Sequence, residues 1–319
     1  MIAFGPIPSR RLGQSLGINN IPLKSCSYDC LYCQVGPTTD AKIERRPFYA
    51  PAEIVQAVKE KLQQADAACA TVDYLSFVPD GEPTLDLHLG QEIDLLRPLR
   101  KKIAVFTNGT LLWRADVQAE LARADWVSVK VDAVQEETWR QINRPSEPLS
   151  LPAILEGMRS FARLFRGTLT TETMLVRGIN DDEASVTAVA SLVSELAPAV
   201  AYLAVPTRPP SERWVQMPDE ETLHRAYQIF AEHLDRVEYL LGFAEQPFRA
   251  TGNVEEGLLA ITSVHPMREE EALAYLEQAG RDRGILDTLI VQGKLLPVTH
   301  RGQRFLIRRL SASPPATSK

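Results

Sequence analysis

The chain contains no run of apolar residues approaching the ~20 needed to cross a bilayer, so a membrane-spanning role is not expected. Its opening residues, Met1 to Pro6, lack a charged start followed by an apolar stretch, and no signal peptide is expected there. Positive charge is not in excess: 35 Lys and Arg stand against 41 Asp and Glu, a net −6. That balance gives no whole-chain attraction to nucleic acid, although a local basic patch can still act. No internal repeat at a fixed period of about 20–50 residues is visible, which speaks against a solenoid or propeller. Cysteine is scarce, at four in 319 residues. A secreted disulfide framework would spread an even set over a shorter chain. Here three of the four crowd into the eight residues from Cys26 to Cys33, and Cys69 stands alone. The expectation is a cytoplasmic chain that binds metal.

What is present is an ordinary folded composition, 45% apolar and 24% charged, long enough for one large domain or a large and a small one. Short apolar segments at 15–20, 72–78, 103–108, 126–131, 168–176 and 200–205 read as strands. Helical stretches are expected at 51–64, 87–101, 112–123, 151–165, 182–196 and 219–235. Pro51 suits a first helical position, and Asp182 and Asp219 supply N-cap chemistry. Alternation of strand and helix repeated six times implies parallel strands with right-handed crossovers. Six units are too few to close an eight-stranded barrel, so the predicted fold class is α/β, a partial (β/α)6 barrel of the TIM type over residues 1–245. A turn-rich stretch at 246–253 reads as a linker. Beyond it, helices at 254–264, 268–279 and 284–292 precede strands at 295–299 and 304–308, the order of a winged-helix-like domain over 254–310. The tail, 311–319, reads as disordered.

The cysteine segment runs Lys24-Ser-Cys26-Ser-Tyr-Asp-Cys30-Leu-Tyr-Cys33-Gln34. Thiolates at i, i+4 and i+7 on one compact loop can converge on a small soft-metal cluster. Structural zinc would want a fourth ligand and usually two separated cysteine pairs, and the first histidine is His88. The reading is therefore a metal cluster, with Cys26, Cys30 and Cys33 as ligands and one coordination position left open.

This spacing, with Tyr32 directly before the last cysteine, resembles the radical S-adenosylmethionine superfamily over roughly residues 1–245. The resemblance implies a [4Fe–4S] cluster and S-adenosyl-L-methionine as cofactors. It also implies an external electron donor of flavodoxin or ferredoxin type, and reductive cleavage of the sulfonium to a 5′-deoxyadenosyl radical that abstracts hydrogen from a substrate. The turn Pro79-Asp80-Gly81-Glu82-Pro83 is similar to the superfamily's Gly-Gly-Glu motif, with Asp80 in place of the first glycine. A cofactor-binding role then falls on Gly81 and Glu82, and Tyr32 and Asn108 are further expected contacts. The opening Gly5-Pro6-Ile7-Pro8-Ser9-Arg10-Arg11-Leu12-Gly13 resembles an uncharacterised group of iron–sulfur oxidoreductases placed near the wybutosine-synthesis enzymes. Those relatives use a second cluster, and Cys69 alone does not supply one.

In Val127-Ser128-Val129-Lys130-Val131-Asp132 the side chains alternate faces. The valines are expected beneath helices, with Ser128, Lys130 and Asp132 inside the barrel. A buried lysine there wants an anion. Ser128 and Lys130 are therefore expected at the cofactor, and Lys130 and Glu172 are candidates for catalytic roles. A lysine Schiff base would require its pKa to be lowered. Arg10, Arg11 and Arg208 are candidate anion contacts, and Cys69 reads as a small, partly buried residue.

Seven Lys and Arg between Arg281 and Arg309, against Asp282 and Asp287, suggest an RNA substrate held through the C-terminal domain. Two readings stay open beside it. One is activation of a protein by hydrogen abstraction from glycine. The other is a non-catalytic iron–sulfur regulator that binds DNA.

Overall fold

The computed structural model describes residues 2–22, 24–242, 248 and 250–309. In chain order the strands are β1 (Ala3–Ser9), β2 (Gly13–Ile18), β3 (Ser25–Cys26), β4 (Asp40–Ala41), β5 (Tyr74–Phe77), β6 (Lys102–Thr107), β7 (Trp126–Lys130), β8 (Thr168–Met174), β9 (Val200–Ala204), β10 (Val237–Leu240), β11 (Met267–Arg268), β12 (Leu295–His300) and β13 (Gln303–Arg308). The α-helices are α1 (Pro51–Ala67), α2 (Leu89–Leu96), α3 (Ala115–Leu121), α4 (Glu136–Asn143), α5 (Leu151–Leu164), α6 (Glu183–Leu196), α7 (Glu220–His233), α8 (Val254–Val264), α9 (Glu269–Gln278) and α10 (Gly284–Val291).

Helix boundaries follow local chemistry. Pro51 opens α1, where its missing N–H costs nothing. Asp182 and Asp219 cap α6 and α7 by accepting from Ser185 N and Thr222 N. In α1 the buried positions Ile54, Val58 and Ala65 recur at helical spacing and face the sheet.

The main sheet runs β1-β2-β5-β6-β7-β8-β9-β10. From β2 to β10 every pairing is parallel, whereas β1 joins β2 as an antiparallel hairpin. The edge strands do not pair with one another, so the barrel is open, as the six predicted units imply. Two strands exceed that expectation, β1 and β10. Arg10, a predicted anion contact, instead donates to the carbonyls of Tyr239, at 3.0 Å, and Leu241, tying the β1–β2 turn to the last strand. Because β2 and β5–β10 are parallel, the loops that leave them gather along one edge, where sites form in such sheets.

A second, smaller apolar core gathers Phe248, Leu258, Ile261, Met267, Tyr275, Leu289 and Leu306 around α8–α10 and the sheet β11-β13-β12. The three helices and the hairpin match the expected elements, and β11 adds an edge strand. Within the expected linker, Phe248 is buried in this second core and Thr251 donates to Gly5 O at 3.0 Å, which ties the segment to β1. The expected tail at 311–319 lies outside the described residues. None of the described helices is long and apolar enough to cross a membrane.

Candidate active site

The loop that leaves β2 carries the three cysteines, and its backbone is pinned from three sides. The β3–β4 pairing closes its base. The last carbonyls of α4, which have no partner within the helix, accept from the loop: Asp29 N reaches Asn143 O at 3.0 Å and Leu31 N reaches Ile142 O at 3.1 Å. Trp139, fully buried on α4, donates to Tyr28 Oη at 2.7 Å. The third support is the turn after β5. Glu82 N donates to Ser25 O at 3.1 Å, and a Cβ on Gly81 would lie 1.8 Å from that oxygen. Gly81 is therefore required by the close approach of the cysteine loop.

No cysteine is in a disulfide; Cys26, Cys30 and Cys33 are partly buried. Burial, with charged neighbours, pushes the Cys26 thiol well up and the Cys30 thiol up to about 12. Holding both as thiolates in such a place requires a cation or metal. Asn143 Nδ2 lies 3.4 Å from Cys30 Sγ and Asn108 Nδ2 lies 3.6 Å from Cys26 Sγ. Lys24 Nζ donates to Cys33 Sγ at 2.9 Å. Burial works against the Lys24 ammonium, but Cys33, and behind it Cys26 and Cys30, more than restore it. Among the described residues no three His, Cys, Asp or Glu groups converge on a single ion. A polynuclear cluster, which takes one thiolate per iron, needs sulfurs set further apart.

The strand ends around this loop form a connected polar network. Glu82 is buried and accepts from Thr84 N, Thr84 Oγ1, Thr107 Oγ1 and Asn108 N, at 2.6–3.1 Å. Burial pushes its carboxyl up, and these donors pull the other way. Four protein donors use its oxygens, so its side chain acts as a strut that positions Asn108. Asn108 in turn donates to Ser27 Oγ at 2.9 Å.

Lys130 and Asp132 project inward as the alternation in β7 predicts. Asp132 is buried and receives Tyr32 Oη, Asn143 Nδ2 at 2.8 Å and Met174 N at 2.8 Å. Lys130 donates to Glu172 at 2.9 Å and stands 4.7 Å above the Tyr32 ring. Arg11 closes on the other Glu172 oxygen and stacks over Phe106 at 4.5 Å. Ser128 is buried on the same strand, yet it does not line the cavity described below.

Burial opposes the charged form of Glu172, but Lys130 and Arg11 overcome it and hold its carboxyl at about 2. A carboxylate held that low is a poor general base at neutral pH. Lys130, although burial works against it, is raised by Asp132 and Glu172 and stays an ammonium. The two predicted catalytic residues thus neutralise each other in this state, and Lys130 is not poised for Schiff-base attack. Because Glu172 lies below its ordinary 4.5, its stabilising contribution is full above about pH 4.5 and lost as pH falls toward about 2. Wild type is therefore expected to exceed Glu172→Gln by up to about 3 kcal/mol at neutral pH. Denaturant unfolding in progressively acidic buffers should show that gap closing.

A cavity of about 420 Å³ opens at this end of the sheet. Tyr32, Cys33, Arg11, Lys130, Glu172 and Arg208 line it, together with Phe248 and His265 from the C-terminal segment. Sequence reasoning found the cysteines, Lys130 and Glu172. It passed over Lys24, whose position two residues before Cys26 was a usable signal, and over Asn143, whose helix lies in an unrecognised crossover. Cys69, expected to be partly buried, is exposed at the end of α1 with φ +51°.

An open parallel barrel whose first βα loop carries three free, partly buried thiols, Cys33 among them lining the cavity, defines a class of metal-cluster enzymes. The Radical SAM superfamily model matches residues 20–188, and the chain belongs to that superfamily. It is 44% identical to the UPF0026 protein MJ1312 of Methanocaldococcus jannaschii, over 98% of this chain and 97% of that protein. A UPF0026 protein of Helicobacter pylori is 30% identical, over 86% of this chain and 88% of its own. Among solved structures, TYW1 with a lysine–pyruvate adduct bound has a TM-score of 0.55 at 16% identity, covering 70% of this chain and 76% of that one. A radical SAM methyltransferase from Sphaerobacter thermophilus has a TM-score of 0.54 at 18% identity, covering 72% and 67%. These two share the fold.

Proposed function

We propose that Cys26, Cys30 and Cys33 hold a [4Fe–4S] cluster with one iron free to bind S-adenosylmethionine, and that the 420 Å³ cavity is the reaction chamber. The observation that carries this reading is the set of three free, partly buried thiols on a loop pinned at the cavity mouth. Bound there, the cluster and cofactor supply one-electron cleavage of the sulfonium and a 5′-deoxyadenosyl radical for hydrogen abstraction. The chain's own part is to fix the loop and to exclude water from the chamber. Asn108 and Asn143 orient amide donors at two sulfurs. Gly81 admits the loop backbone, and Glu82 holds Asn108 in place. Tyr32, fixed by Asp132, forms a wall of the chamber. Lys130 and Glu172 present a paired charge to whatever enters, and substrate groups can exchange for either partner. An external one-electron donor completes the requirement.

Anaerobic reconstitution with iron and sulfide, followed by reduction in the presence of S-adenosylmethionine, tests the reading. It is expected to yield 5′-deoxyadenosine and methionine. An intact cluster that yields neither would sink it.

The charge distribution does not favour RNA docking through the C-terminal segment. Residues 254–309 hold eight Lys and Arg against eight Asp and Glu. Much of the basic character is paired within the fold: Arg283 with Glu269 and Asp287, Arg304 with Glu269, and Lys294 with Glu255.

The ammonium of Lys24 is the positive charge that touches a cysteine sulfur. Positive charge beside a cluster stabilises its more negative, reduced form. Lys24→Met is therefore expected to shift the cluster's midpoint potential to more negative values in a potentiometric titration read by EPR. An unchanged potential would remove Lys24 from this role.

A further inference from the structure

The three cysteines are not braced alike. Cys26 lies in the β3–β4 pairing, and the residues on either side of Cys30 donate to the last carbonyls of α4. The main-chain hydrogen bonds of Cys33 stay inside the loop: its N donates to Cys30 O at 3.0 Å and its O accepts from Gly36 N at 3.2 Å. Among the described residues, the hydrogen bond that ties this end of the loop to the C-terminal segment is made one residue on. Gln34, partly buried, donates through Nε2 to Val264 O at 3.1 Å. Val264 is the last residue of α8, and a carbonyl there has no partner inside the helix. The bond therefore satisfies an orphan acceptor and holds the loop at the same time.

The acceptor is itself held from both sides. Leu258 and Ile261 of α8 sit in the second apolar core, and Arg308 of β13 donates to Leu259 O at 3.4 Å. On the barrel side, Ala260 and Val264 pack on Phe4 of β1, with Ile7 and Val78 beside them. Phe4 can take that place because its neighbour on β2 is Gly17, where a Cβ would lie 2.2 Å from the ring. Gln34 and Val264 line the chamber together with Cys33. A neutral amide suits this position. It supplies a directed N–H without adding charge beside the sulfurs, where the Lys24 ammonium already touches Cys33 Sγ.

We propose that Gln34 is a positioning residue for Cys33, and that its bond to the end of α8 makes the C-terminal segment part of the cluster site. This rests on reading Cys33 as a cluster ligand. It goes beyond that reading in giving α8 a task, which is to fix the third ligand. The consequence is local. Loosening the end of α8 frees the Cys33 end of the loop, while the Cys26 and Cys30 ends keep their own braces.

Amide hydrogen exchange in the full-length chain tests the proposal, with EPR of the cluster-loaded protein beside it. Gln34→Leu keeps most of the bulk and loses the donor. In the cluster-free chain the Cys33 and Gly36 amides are expected to exchange about 5-fold faster than in wild type, the change that loss of one ordinary hydrogen bond allows. The Asp29 and Leu31 amides, held by α4, should change by less than about 2-fold. Val264→Gly loosens the acceptor's end of α8 without touching the loop. It should speed the same two amides, and it serves if the leucine variant does not fold. In the loaded protein, Gln34→Leu should broaden the EPR lines of the reduced cluster, because Cys33 then samples a spread of positions. Unchanged exchange at Cys33 and Gly36, or EPR lines as narrow as those of wild type, overturns the proposal. So does equal acceleration at Asp29 and Leu31, which would mark a general loosening of the loop. Because exchange is read without the cluster, absence of 5′-deoxyadenosine formation would count against the chamber's chemistry and leave this test standing.

Discussion

Replacing Cys30 with alanine is expected to leave a folded chain that holds no intact [4Fe–4S] cluster and forms 5′-deoxyadenosine only at background. Three thiols stand on the loop after β2, and the fourth cysteine offers no substitute. Cys69 is exposed at the end of α1, which leads into the opposite, N-terminal end of β5. Cys26→Ala and Cys33→Ala should behave alike, and Cys69→Ala should match wild type. The measurement is iron and sulfide content with visible absorbance after anaerobic reconstitution, then product quantification. Burial already raises the thiols of Cys26 and Cys30, so removal of one ligand leaves the others poorly suited to hold metal as thiolates. Full cluster content in Cys30→Ala would contradict this assignment.

Gly81→Ala is expected to be nearly as damaging, although the residue carries no functional group. The added methyl would lie 1.8 Å from Ser25 O and against the Ile21 side chain. Real carbon–oxygen contacts are never that short, so the backbone must move. The element that yields is the cysteine loop, because β5 is locked in a parallel sheet between β2 and β6. Overpacking of this kind costs about 1–3 kcal/mol, which a core of this size tolerates. The expected result is native far-UV circular dichroism with cluster content reduced to a small fraction of wild type. A fully loaded, fully active Gly81→Ala protein would show that the turn after β5 does not set the loop.

Much of the barrel was legible because its strands are apolar runs separated by amphipathic helices. Two strands were not. β1 carries a glycine and two prolines in seven residues, a composition that hides a strand and suits an edge position. β10 is four residues long, only partly buried, and offers too few positions for a pattern. Helix α4 reads Glu-Glu-Thr-Trp-Arg-Gln-Ile-Asn, polar except for Trp139 and Ile142, and so passes for loop. That oversight concealed Asn143 and the carbonyls that brace the cysteines.

The site divides in the same way. Spacing alone exposed Cys26, Cys30 and Cys33, and two-residue alternation placed Lys130 and Asp132 inside. What no local pattern contains is pairing across long stretches of chain. Arg11 and Glu172 are 161 residues apart, and Arg208 and His265 are 57 apart. Those contacts exist because the sheet gathers its loops at one edge and α8 packs back upon it. Glu82 shows the converse. Its place in a motif suggested a cofactor contact; what the motif does not show is that Glu82 also accepts from Thr84, Thr107 and Asn108 and so ties the turn after β5 to the end of β6.

If one iron of a three-cysteine cluster is open to S-adenosylmethionine, the cofactor must change the electronic surroundings of the reduced cluster. Anaerobic reduction of the reconstituted protein, followed by titration with S-adenosylmethionine under EPR, tests it most directly. The reduced cluster's g-values are expected to change, with the change complete near one equivalent of cofactor, as the open iron gains ligands. A spectrum unaltered by saturating cofactor, in a protein with full iron and sulfide content, would contradict it.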